Sequence, residues 1–222
     1  MPFCIAVDGP AGAGKSTVAK LLARQLGYLY VDTGAMYRAV TLKALRQGID
    51  LADERALSDL AASTGIDLTT GSNEITHVFL EGEDVTSAIR APEVSRNVSF
   101  VARAPGVRAA LVDRQRQLAK GDVVMEGRDV GTVVMPEAQV KIFLTASVEE
   151  RAQRRQADLT ARGYQVPLEN IVEEIEERDR LDSSRLTAPL VPAPDARIID
   201  CSRINAQQVA ELILEVVKRS RG

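Results

Sequence analysis

A glycine-rich segment near the amino terminus has the residue types and spacing that bind phosphate groups. Its members are Gly9, Pro10, Ala11, Gly12, Ala13, Gly14, Lys15, Ser16 and Thr17. They fit the pattern G-x-x-x-x-G-K-[ST], in which backbone N–H groups surround an anion and the lysine reaches the β- and γ-phosphates. In the same pattern the hydroxyl of Ser16 ligates Mg²⁺. The segment therefore predicts a site for a nucleoside triphosphate with its Mg²⁺.

The residues on either side of this segment predict the elements that would position it. Residues 3–7 form a short apolar run typical of a buried strand. Residues 16–26 place apolar side chains on one helical face, at Val18, Leu21, Leu22 and Leu26. A helix that starts at the end of the loop would direct its positive dipole end at the bound phosphate.

The rest of the chain alternates between strand and helix patterns. Further strands are predicted at 28–31, 122–126, 140–144 and 196–200. Helices are predicted at 35–46, 107–118, 147–162, 168–181 and 206–219. This alternation is typical of an α/β fold with three layers, in which helices cover both faces of a five-stranded parallel sheet. Ligands bind at the carboxyl ends of the strands in such sheets.

One segment, residues 65–89, breaks the alternation. It reads as two or three short antiparallel strands with turn signals at 70–73 and 81–84, which predicts a small antiparallel β insertion. His77, the only histidine, falls in this segment at what we expect to be a surface strand position. A Ser-His-Asp triad or a histidine-based zinc site is therefore not expected.

Composition narrows the class of protein further. A chain of 222 residues, 45% of them hydrophobic, corresponds to one α/β domain. The net charge of −3 and the pI near 5.4 argue against a nucleic-acid partner. No apolar run is long enough to cross a bilayer, and no signal peptide pattern is visible. Cys4 and Cys201 lie in apolar runs, which favours buried free thiols and a cytoplasmic location.

Polar residues that follow the predicted strands indicate a second anion site. Thr33 follows the strand at 28–31 and is a candidate cap for the next helix. Arg38 lies one turn into that helix, where a cation is unfavourable unless an anionic ligand is bound nearby. Arg128 and Asp129 follow the strand at 122–126 between two glycines, which favours a ligand site, although a local salt bridge is the alternative.

Two charged clusters come later in the chain. Arg178, Asp182 and Arg185 are spaced i, i+4, i+7 and would share one helical stripe if the helix extends that far, an arrangement suited to the phosphate and sugar of a nucleotide. A second cluster, on the helix at 147–162, consists of Arg151, Arg154 and Arg155. By themselves such clusters are more often solvated faces. Together with the phosphate loop, they indicate phosphoryl transfer to a second, anionic substrate.

The chain resembles the bacterial cytidylate kinases nearly end to end. The motifs that carry the resemblance are DGPAGAGKST, DTGAMYR, LEGEDVTSAIR, VRAALVDRQR, EGRDVGTVV, VKIFLTAS, EEIEERDRLDSSR and APLVPA. The resemblance implies a P-loop nucleoside monophosphate kinase, residues 1–222, that transfers the γ-phosphoryl group of ATP to CMP and dCMP. It also implies an inserted acceptor-side subdomain at 62–98, a lid at 150–163 and a monomeric protein.

The same resemblance assigns the residues that hold the acceptor nucleotide. It implies that the α-phosphate of CMP is held by Arg38, Arg128 and Arg185. Thr33 stands where the family often has serine and keeps the hydroxyl, and Tyr37 would line the acceptor pocket. Lys15, Arg128 and Arg185 would act on the reacting phosphates as catalytic residues.

The resemblance implies that a different group of residues recognises the cytosine base, namely Ser99, Arg108 and Asp129. Asp129 and the Ser99 hydroxyl can accept from the N4 amino group, whereas Arg108 donates toward N3 or O2. Uracil reverses the polarity at N4 and N3, so CMP and dCMP should react far better than UMP. Arg178 and Asp182 would meet the sugar and phosphate, and the lid over the ATP phosphates would carry Arg151, Arg154 and Arg155.

Other interpretations of the phosphate loop remain open from the residues alone. A kinase for UMP, AMP or shikimate would have the same loop and would differ in the base-reading set and the insertion. A slow ATP- or GTP-hydrolysing switch is a different class, but no N-K-x-D guanine-reading motif is present. A nucleic-acid-dependent ATPase is disfavoured by the acidic balance.

Overall fold

A computed structural model describes residues 2–70 and 76–221 of the chain. The residues divide into two compact units. The first, which we call the sheet unit, comprises Met1–Val31 and Ala119–Gly222, and the second, which we call the helical unit, comprises Asp32–Leu118. Within the described ranges, no helix combines the length and the apolar character needed to cross a membrane.

The strands and helices have the following bounds. The strands are β1 Cys4–Asp8, β2 Leu29–Asp32, β3 Ile66–Thr70, β4 Thr76–Leu80, β5 Glu83–Asp84, β6 Val123–Gly127, β7 Val140–Thr145 and β8 Arg197–Asp200. The helices are α1 Lys15–Leu26, α2 Thr33–Arg46, α3 Glu54–Ser63, α4 Pro92–Val101, α5 Pro105–Leu118, α6 Val148–Ala161, α7 Leu168–Ser183 and α8 Ala206–Arg221. A 3₁₀ turn covers Ala88–Arg90 and a π-helical turn covers Val130–Val134.

The main sheet has five strands in the order β2-β6-β1-β7-β8. β1 lies between β6 and β7 and pairs with both in parallel, and β7 pairs in parallel with β8. The predicted five-stranded parallel sheet is confirmed, and each strand boundary lies within one residue of its predicted position. β1 and β6 are buried along almost their whole length, and strands buried on both faces have continuous apolar runs that are easy to identify in a sequence.

The core of the sheet unit lies between these strands and the helices that cover them. Ile5, Ile142 and Leu144 of the strands are buried with Leu22 of α1 and Ile213 of α8. Gly27 caps the carboxyl end of α1, and its φ of +69° lets its N–H bond back to the carbonyl groups of the last turn. The predicted order of strand, loop and helix is confirmed, and β1 is the central strand, so the phosphate loop lies at the carboxyl end of the middle of the sheet.

The helical unit has its own core. α2 to α5 contribute apolar faces to one cluster, which includes Met36, Val40, Leu57, Leu60, Val98, Val101 and Leu111. A smaller cluster packs Ala35 and Ala39 of α2 against Val78, Leu80 and Ile89. α3 and α4 were not predicted, although each carries an apolar face.

The antiparallel insertion is confirmed as a three-stranded sheet in the order β3-β4-β5. Its predicted turn at 81–84 is present, because Glu81 and Gly82 both have positive φ between the paired residues Leu80 and Glu83. The other predicted turn, at 70–73, falls on residues 71–73, which lie outside the described residues. The compact unit that contains this sheet extends beyond 62–98 on both sides, and the subdomain at 62–98 stays a prediction.

Candidate active site

The phosphate loop joins β1 to α1 and can only be built with glycine at its key positions. Gly9, Gly12 and Gly14 have φ values of +146°, +78° and +89°. A Cβ on Gly9 would lie 2.0 Å from the carbonyl oxygen of Leu144, and one on Gly12 would lie 2.9 Å from Cβ of Arg151. The loop backbone therefore packs directly on β7 and α6, which holds its N–H groups in place at the start of α1.

Lys15 lies at the end of the loop with its side chain buried. Its Nζ donates to the carbonyl oxygen of Pro10 at 2.7 Å. Burial and the nearby guanidinium group of Arg128 lower the pKa of Lys15 to about 7, against an opposing effect of Glu126. A buried lysine of this kind gains most from an arriving anion, which matches its predicted role beside the β- and γ-phosphates.

Arginines from three segments of the sheet unit surround Asp182. Arg128 Nε lies 2.9 Å from Asp182 Oδ2, Arg178 Nε lies 3.9 Å from the same oxygen, and Arg185 Nε donates to the Asp182 carbonyl oxygen at 3.1 Å. Burial opposes ionisation of Asp182, but the three guanidinium groups outweigh it and hold its pKa below the ordinary value. Positive charge exceeds negative charge here, as an anion site requires.

The condition for a single helical stripe in this cluster, that the helix extends as far as Arg185, is not met. α7 ends at Ser183, so Arg185 lies beyond the helix. The chain turns back instead, and Leu190 donates its N–H to the Asp182 carbonyl oxygen at 2.9 Å. Arg185 is thus placed next to Asp182 by the turn that follows the helix rather than by helical spacing.

Arg151 on α6 is not part of a solvated face. Its Nε donates to the Ala146 carbonyl oxygen at 3.0 Å, its Nη1 donates to the Ala11 carbonyl oxygen at 3.2 Å, and Nη1 lies 2.7 Å from Asp179 Oδ2. These contacts join the phosphate loop to α7. The alternative of an exposed arginine face is therefore wrong for this residue.

Arg154 lies one turn further along α6 and close to the loop. Its Nη2 donates to the Cys201 carbonyl oxygen at 2.6 Å, and its Nη1 lies 3.8 Å from the position of a Cβ built on Gly14. Arg155 is half-buried on the same helix. Arg154 thus has the position expected of a residue that contacts ATP, and that contact stays a prediction for both arginines.

In the helical unit, Asp32 organises the start of α2. Its carboxylate accepts from the Ala35 N–H at 2.9 Å and from Arg38 Nη2 at 2.7 Å, and Arg90 Nη2 lies 3.6 Å away. The prediction that Thr33 caps this helix is wrong, because Thr33 is its first residue and the preceding aspartate makes the cap. Asp32 and Arg90 were not predicted as site residues.

Three more predicted residues of the helical unit are buried. The Arg108 guanidinium carbon lies 5.7 Å from the ring centroid of Tyr37, and its Nη1 donates to the Ala102 carbonyl oxygen at 3.4 Å. Ser99 is buried on α4. The structure thus brings Tyr37 and Arg108 together, as expected for residues that would line one pocket.

Two buried carboxylates of the sheet unit, Glu126 and Asp8, were not among the predicted site residues. Glu126 Oε1 accepts from the Tyr30 hydroxyl at 2.5 Å. Asp8 accepts from the N–H groups of Val130 and Gly131 at 2.8 and 2.7 Å. Their only signal in the sequence is an acidic residue at the end of an apolar strand.

The fold and this site define the chain as a P-loop α/β nucleotide-binding protein, with a phosphate loop between the central strand and the first helix. Comparison with known proteins gives the particular family. The sequence model described as cytidylate kinase matches residues 5–219. The chain belongs to the cytidylate kinase family.

Relatives at high identity cover almost the whole chain. A cytidylate kinase of Pelotomaculum thermopropionicum is 60% identical over 218 residues, which are 98% of this chain and 96% of the relative. A cytidylate kinase of Desulforamulus reducens is 56% identical over 219 residues, 98% of each chain. The crystal structure of an uncharacterized protein from Eubacterium ventriosum has a TM-score of 0.54 at 10% identity, with 97% of this chain and 98% of that chain covered, which shows likeness of fold alone.

Proposed function

We infer that this protein is a phosphotransferase that converts ATP and CMP to ADP and CDP, and dCMP to dCDP. The observation that carries the inference is membership of the cytidylate kinase family over residues 5–219, with the phosphate loop and its buried Lys15 intact. ATP is the phosphoryl donor, and the acceptor is the phosphate of the nucleoside monophosphate. The activity belongs to pyrimidine nucleotide metabolism.

The reaction needs alignment and charge neutralisation more than proton transfer. The second pKa of a phosphate monoester is near ~6, so the acceptor is already largely a dianion at neutral pH and a good nucleophile. No general base is required, and we assign that role to no residue. The rate enhancement then comes from holding donor and acceptor in line and from cations around the transferred group.

We propose that the sheet unit binds the phosphates of ATP. Lys15 would neutralise charge on the β- and γ-phosphates, and the loop from Gly9 to Thr17 would donate its N–H groups. Arg154 would contact the phosphates from α6, and Arg155 is assigned to the same lid, residues 150–163. This role for the lid is supported by the closeness of Arg154 to Gly14.

Ser16 fits the Mg²⁺ that ATP carries. It follows Lys15 at the start of α1, on a loop whose packing leaves no room for a Cβ at Gly9 or Gly12. In phosphate loops of this pattern the Ser or Thr hydroxyl ligates Mg²⁺ beside the phosphate oxygens, so the Ser16 hydroxyl would be one ligand of the ion. The ion supplies charge neutralisation on the phosphates when it is bound.

We assign the acceptor phosphate to Arg38, Arg128 and Arg185. In this structure Arg128 and Arg38 are held by carboxylates, Asp182 and Asp32 respectively. Those carboxylates keep the guanidinium groups oriented before the substrate binds, and a phosphate dianion offers stronger paired acceptors. Thr33 and Tyr37 also belong to the residues that we propose bind the acceptor nucleotide. Arg178 and Asp182 would contact its sugar and phosphate.

Discrimination between bases is assigned to Ser99, Arg108 and Asp129. All three side chains are buried, so a mismatched polar edge of the base would leave buried donors or acceptors unpaired. A site built in this way can reject an analogue by several powers of ten. We therefore expect CMP and dCMP to react far ahead of UMP.

The decisive experiment is a coupled ADP-release assay with Mg-ATP and a panel of CMP, dCMP, UMP, AMP, GMP and shikimate. Stimulation by CMP and dCMP alone supports both the reaction and the base-reading set. Stimulation by UMP or a purine nucleotide would support a kinase activity but would contradict the assignment of the base-reading residues. Slow ADP release that ignores every acceptor would favour a nucleotide switch.

The Asp129→Ala variant tests the base-reading assignment directly. It should raise KM for CMP by about tenfold or more, because a buried hydrogen bond to a charged acceptor is lost, and should change KM for ATP much less. Asp195→Ala serves as the control, since Asp195 pairs with Lys141 in an exposed position of the same unit. An equal effect on both substrates would contradict the assignment.

We also propose that the protein is cytoplasmic. Both cysteines are free in this structure, Cys201 buried and Cys4 half-buried, which fits a reducing compartment. Cys4 is less buried than the sequence predicted.

A further inference from the structure

The carboxylate of Asp8 is a buried group to which the reaction, as described above, gives no task. Asp8 is the last residue of β1, directly before Gly9 of the phosphate loop, and its exposed fraction is 5%. One carboxylate oxygen accepts from the Val130 N–H at 2.8 Å and the other from the Gly131 N–H at 2.7 Å. Both oxygens are thus used by the backbone of a segment more than 120 residues later in the chain.

Those two N–H groups belong to the start of the π-helical turn Val130–Val134, which follows Arg128 and Asp129 without a break. The same turn bonds back to Asp129, whose carbonyl oxygen accepts from the N–H groups of Val133 and Val134 at 2.8 and 3.2 Å. Asp129 itself has an uncommon backbone conformation, with φ −147° and ψ 23°. Its position therefore depends on what anchors the turn.

The carboxylate of Asp8 fits closely against the backbone of Gly131, with little space between them. A Cβ on Gly131 would lie 3.3 Å from Asp8 Oδ2 and 3.4 Å from carbon atoms of the Lys141 side chain. The strands behind the turn are in register, with Asp8 paired to Gly127 between β1 and β6. Asp8 consequently ties the phosphate loop and the segment that carries Arg128 and Asp129 to the same point of the sheet.

We propose that Asp8 is a positioning residue for phosphoryl transfer, whose carboxylate sets the backbone of the Arg128–Asp129 pair relative to the phosphate loop. The proposal rests on the proposed function, because it takes Arg128 and Asp129 as acceptor-binding residues. It adds to that function a residue that touches neither substrate and acts through two backbone hydrogen bonds.

The ionised carboxylate is the form that can do this. It accepts at both oxygens, whereas a protonated carboxyl would direct its O–H at one of the two N–H groups and lose that bond. Burial raises the pKa of Asp8 to about 6, Asp129 adds to the rise, and the two backbone N–H groups and Lys15 oppose it. The two bonds are therefore complete above this pH and weakened below it.

The first test needs no substrate. In the substrate-free protein, the amide NMR resonances of Val130 and Gly131 should shift together with pH, with one midpoint near the Asp8 pKa of about 6. The Asp8→Asn variant should abolish that titration. Resonances that do not move through this pH range in the wild-type protein, or that move equally in the variant, would overturn the proposal.

The second test separates positioning from a general structural role. Asp8→Asn should raise KM for CMP by about tenfold or more and leave KM for ATP much less changed, since one of two bonds to a charged acceptor is lost. Glu83→Gln removes a carboxylate from the exposed pair with Arg46 and should change neither. An equal rise in both KM values would contradict the proposal, as would kinetics indistinguishable from Glu83→Gln.

The outcomes also distinguish this proposal from the proposed function. If the wild-type protein fails to phosphorylate CMP, the function is wrong whatever the amide resonances do. If it phosphorylates CMP and the amides of Val130 and Gly131 do not titrate, Asp8 does not act as proposed. If Asp8→Asn does not fold, the wild-type titration still decides whether the carboxylate controls this turn.

Discussion

At the scale of single residues, Lys15 shows how burial prepares a side chain for its ligand. Its pKa of about 7 means that the substrate-free protein holds it only partly protonated at neutral pH. The cause is burial first and then the nearby Arg128, whose positive charge also disfavours the ammonium form. A polyphosphate reverses this balance, because its negative charge stabilises the protonated lysine.

We therefore predict that ATP binding takes up a proton at pH values above about 7. The nucleotide raises the pKa of Lys15 toward its ordinary value, so the complex holds more protons than the free protein in that range. Calorimetry of ATP binding at one alkaline pH, in two buffers of different ionisation enthalpy, measures the uptake.

Lys15→Met is the variant for this prediction. It should remove the proton uptake and lower turnover by orders of magnitude while the protein stays folded, because the lost ammonium group acts on the transferred phosphates. Uptake that persists in Lys15→Met would assign the titration to another group. Near-normal turnover would remove Lys15 from the catalytic residues.

At the scale of secondary-structure elements, the sequence correctly predicted those whose conformation depends on residues that are close together in the chain. β1, the phosphate loop and α1 were placed correctly because an apolar run, a glycine pattern and a helical apolar face follow one another. α3 also had a signal that was not used. Asp53 accepts from the Ala56 N–H as a helix cap, and Leu57, Leu60 and Ala61 form an apolar face.

Other elements had no such local signal. α4 buries Val94, Val98 and Val101, and valines favour strands as readily as helices. The π-helical turn after β6 depends on bonds to Asp8, a residue from the opposite end of the chain. Because such partners are distant in the sequence, Asp8 was missed. For the same reason Arg185 could be predicted as a site residue, whereas the turn that places it next to Asp182 could not be predicted.

The glycines of the phosphate loop give a prediction at this scale. Gly9→Ala should abolish ATP binding and destabilise the protein strongly, because the new Cβ would meet the Leu144 carbonyl oxygen at 2.0 Å and φ is +146°. Gly27→Ala is the control, with φ +69° and no atom within 4 Å of the added Cβ. It should cost about 1–2 kcal/mol because alanine is strained in the left-handed region, and it should keep ATP binding.

Urea unfolding and ATP titration of both variants measure this difference. Gly27 lies in the left-handed region and Gly9 at φ +146° lies outside it, so the comparison measures the combined effect of the unusual φ and the close approach of β7 at Gly9. Gly9→Ala with the stability and affinity of Gly27→Ala would contradict the packing argument.

At the scale of the whole molecule, the chain forms two compact units whose bounds the strand and helix patterns along the sequence do not mark. The alternation of strand and helix patterns stops at 65–89, and the family resemblance implies a subdomain at 62–98, which stays a prediction. The compact unit Asp32–Leu118 is larger because α2 and α5 bury their apolar faces with α3 and α4 in one core. Which helices share a core is a tertiary property that periodicity along the chain does not carry.

The surface of the chain supports the expectation of a monomer, which the family resemblance first suggested. The large apolar side chains that are exposed among residues 2–70 and 76–221 are spread over several segments, namely Leu29, Phe100, Tyr164, Leu186, Val191 and Ile198. The two edge strands of the main sheet, β2 and β8, have four residues each, and β8 carries the charged Arg197 and Asp200. Short, charged edges disfavour strand pairing between molecules.

We predict that light scattering coupled to gel filtration gives a mass of 24.0 kDa at every loading concentration. The most exposed apolar residue of an edge strand is Ile198, 60% exposed, so Ile198→Lys is the informative variant. If the wild-type mass rises with concentration and Ile198→Lys restores the single-chain value, the protein associates through β8 and the prediction is wrong. If both proteins stay at the single-chain mass, a catalytic site completed by a second copy is excluded, and every residue assigned above must act within one chain.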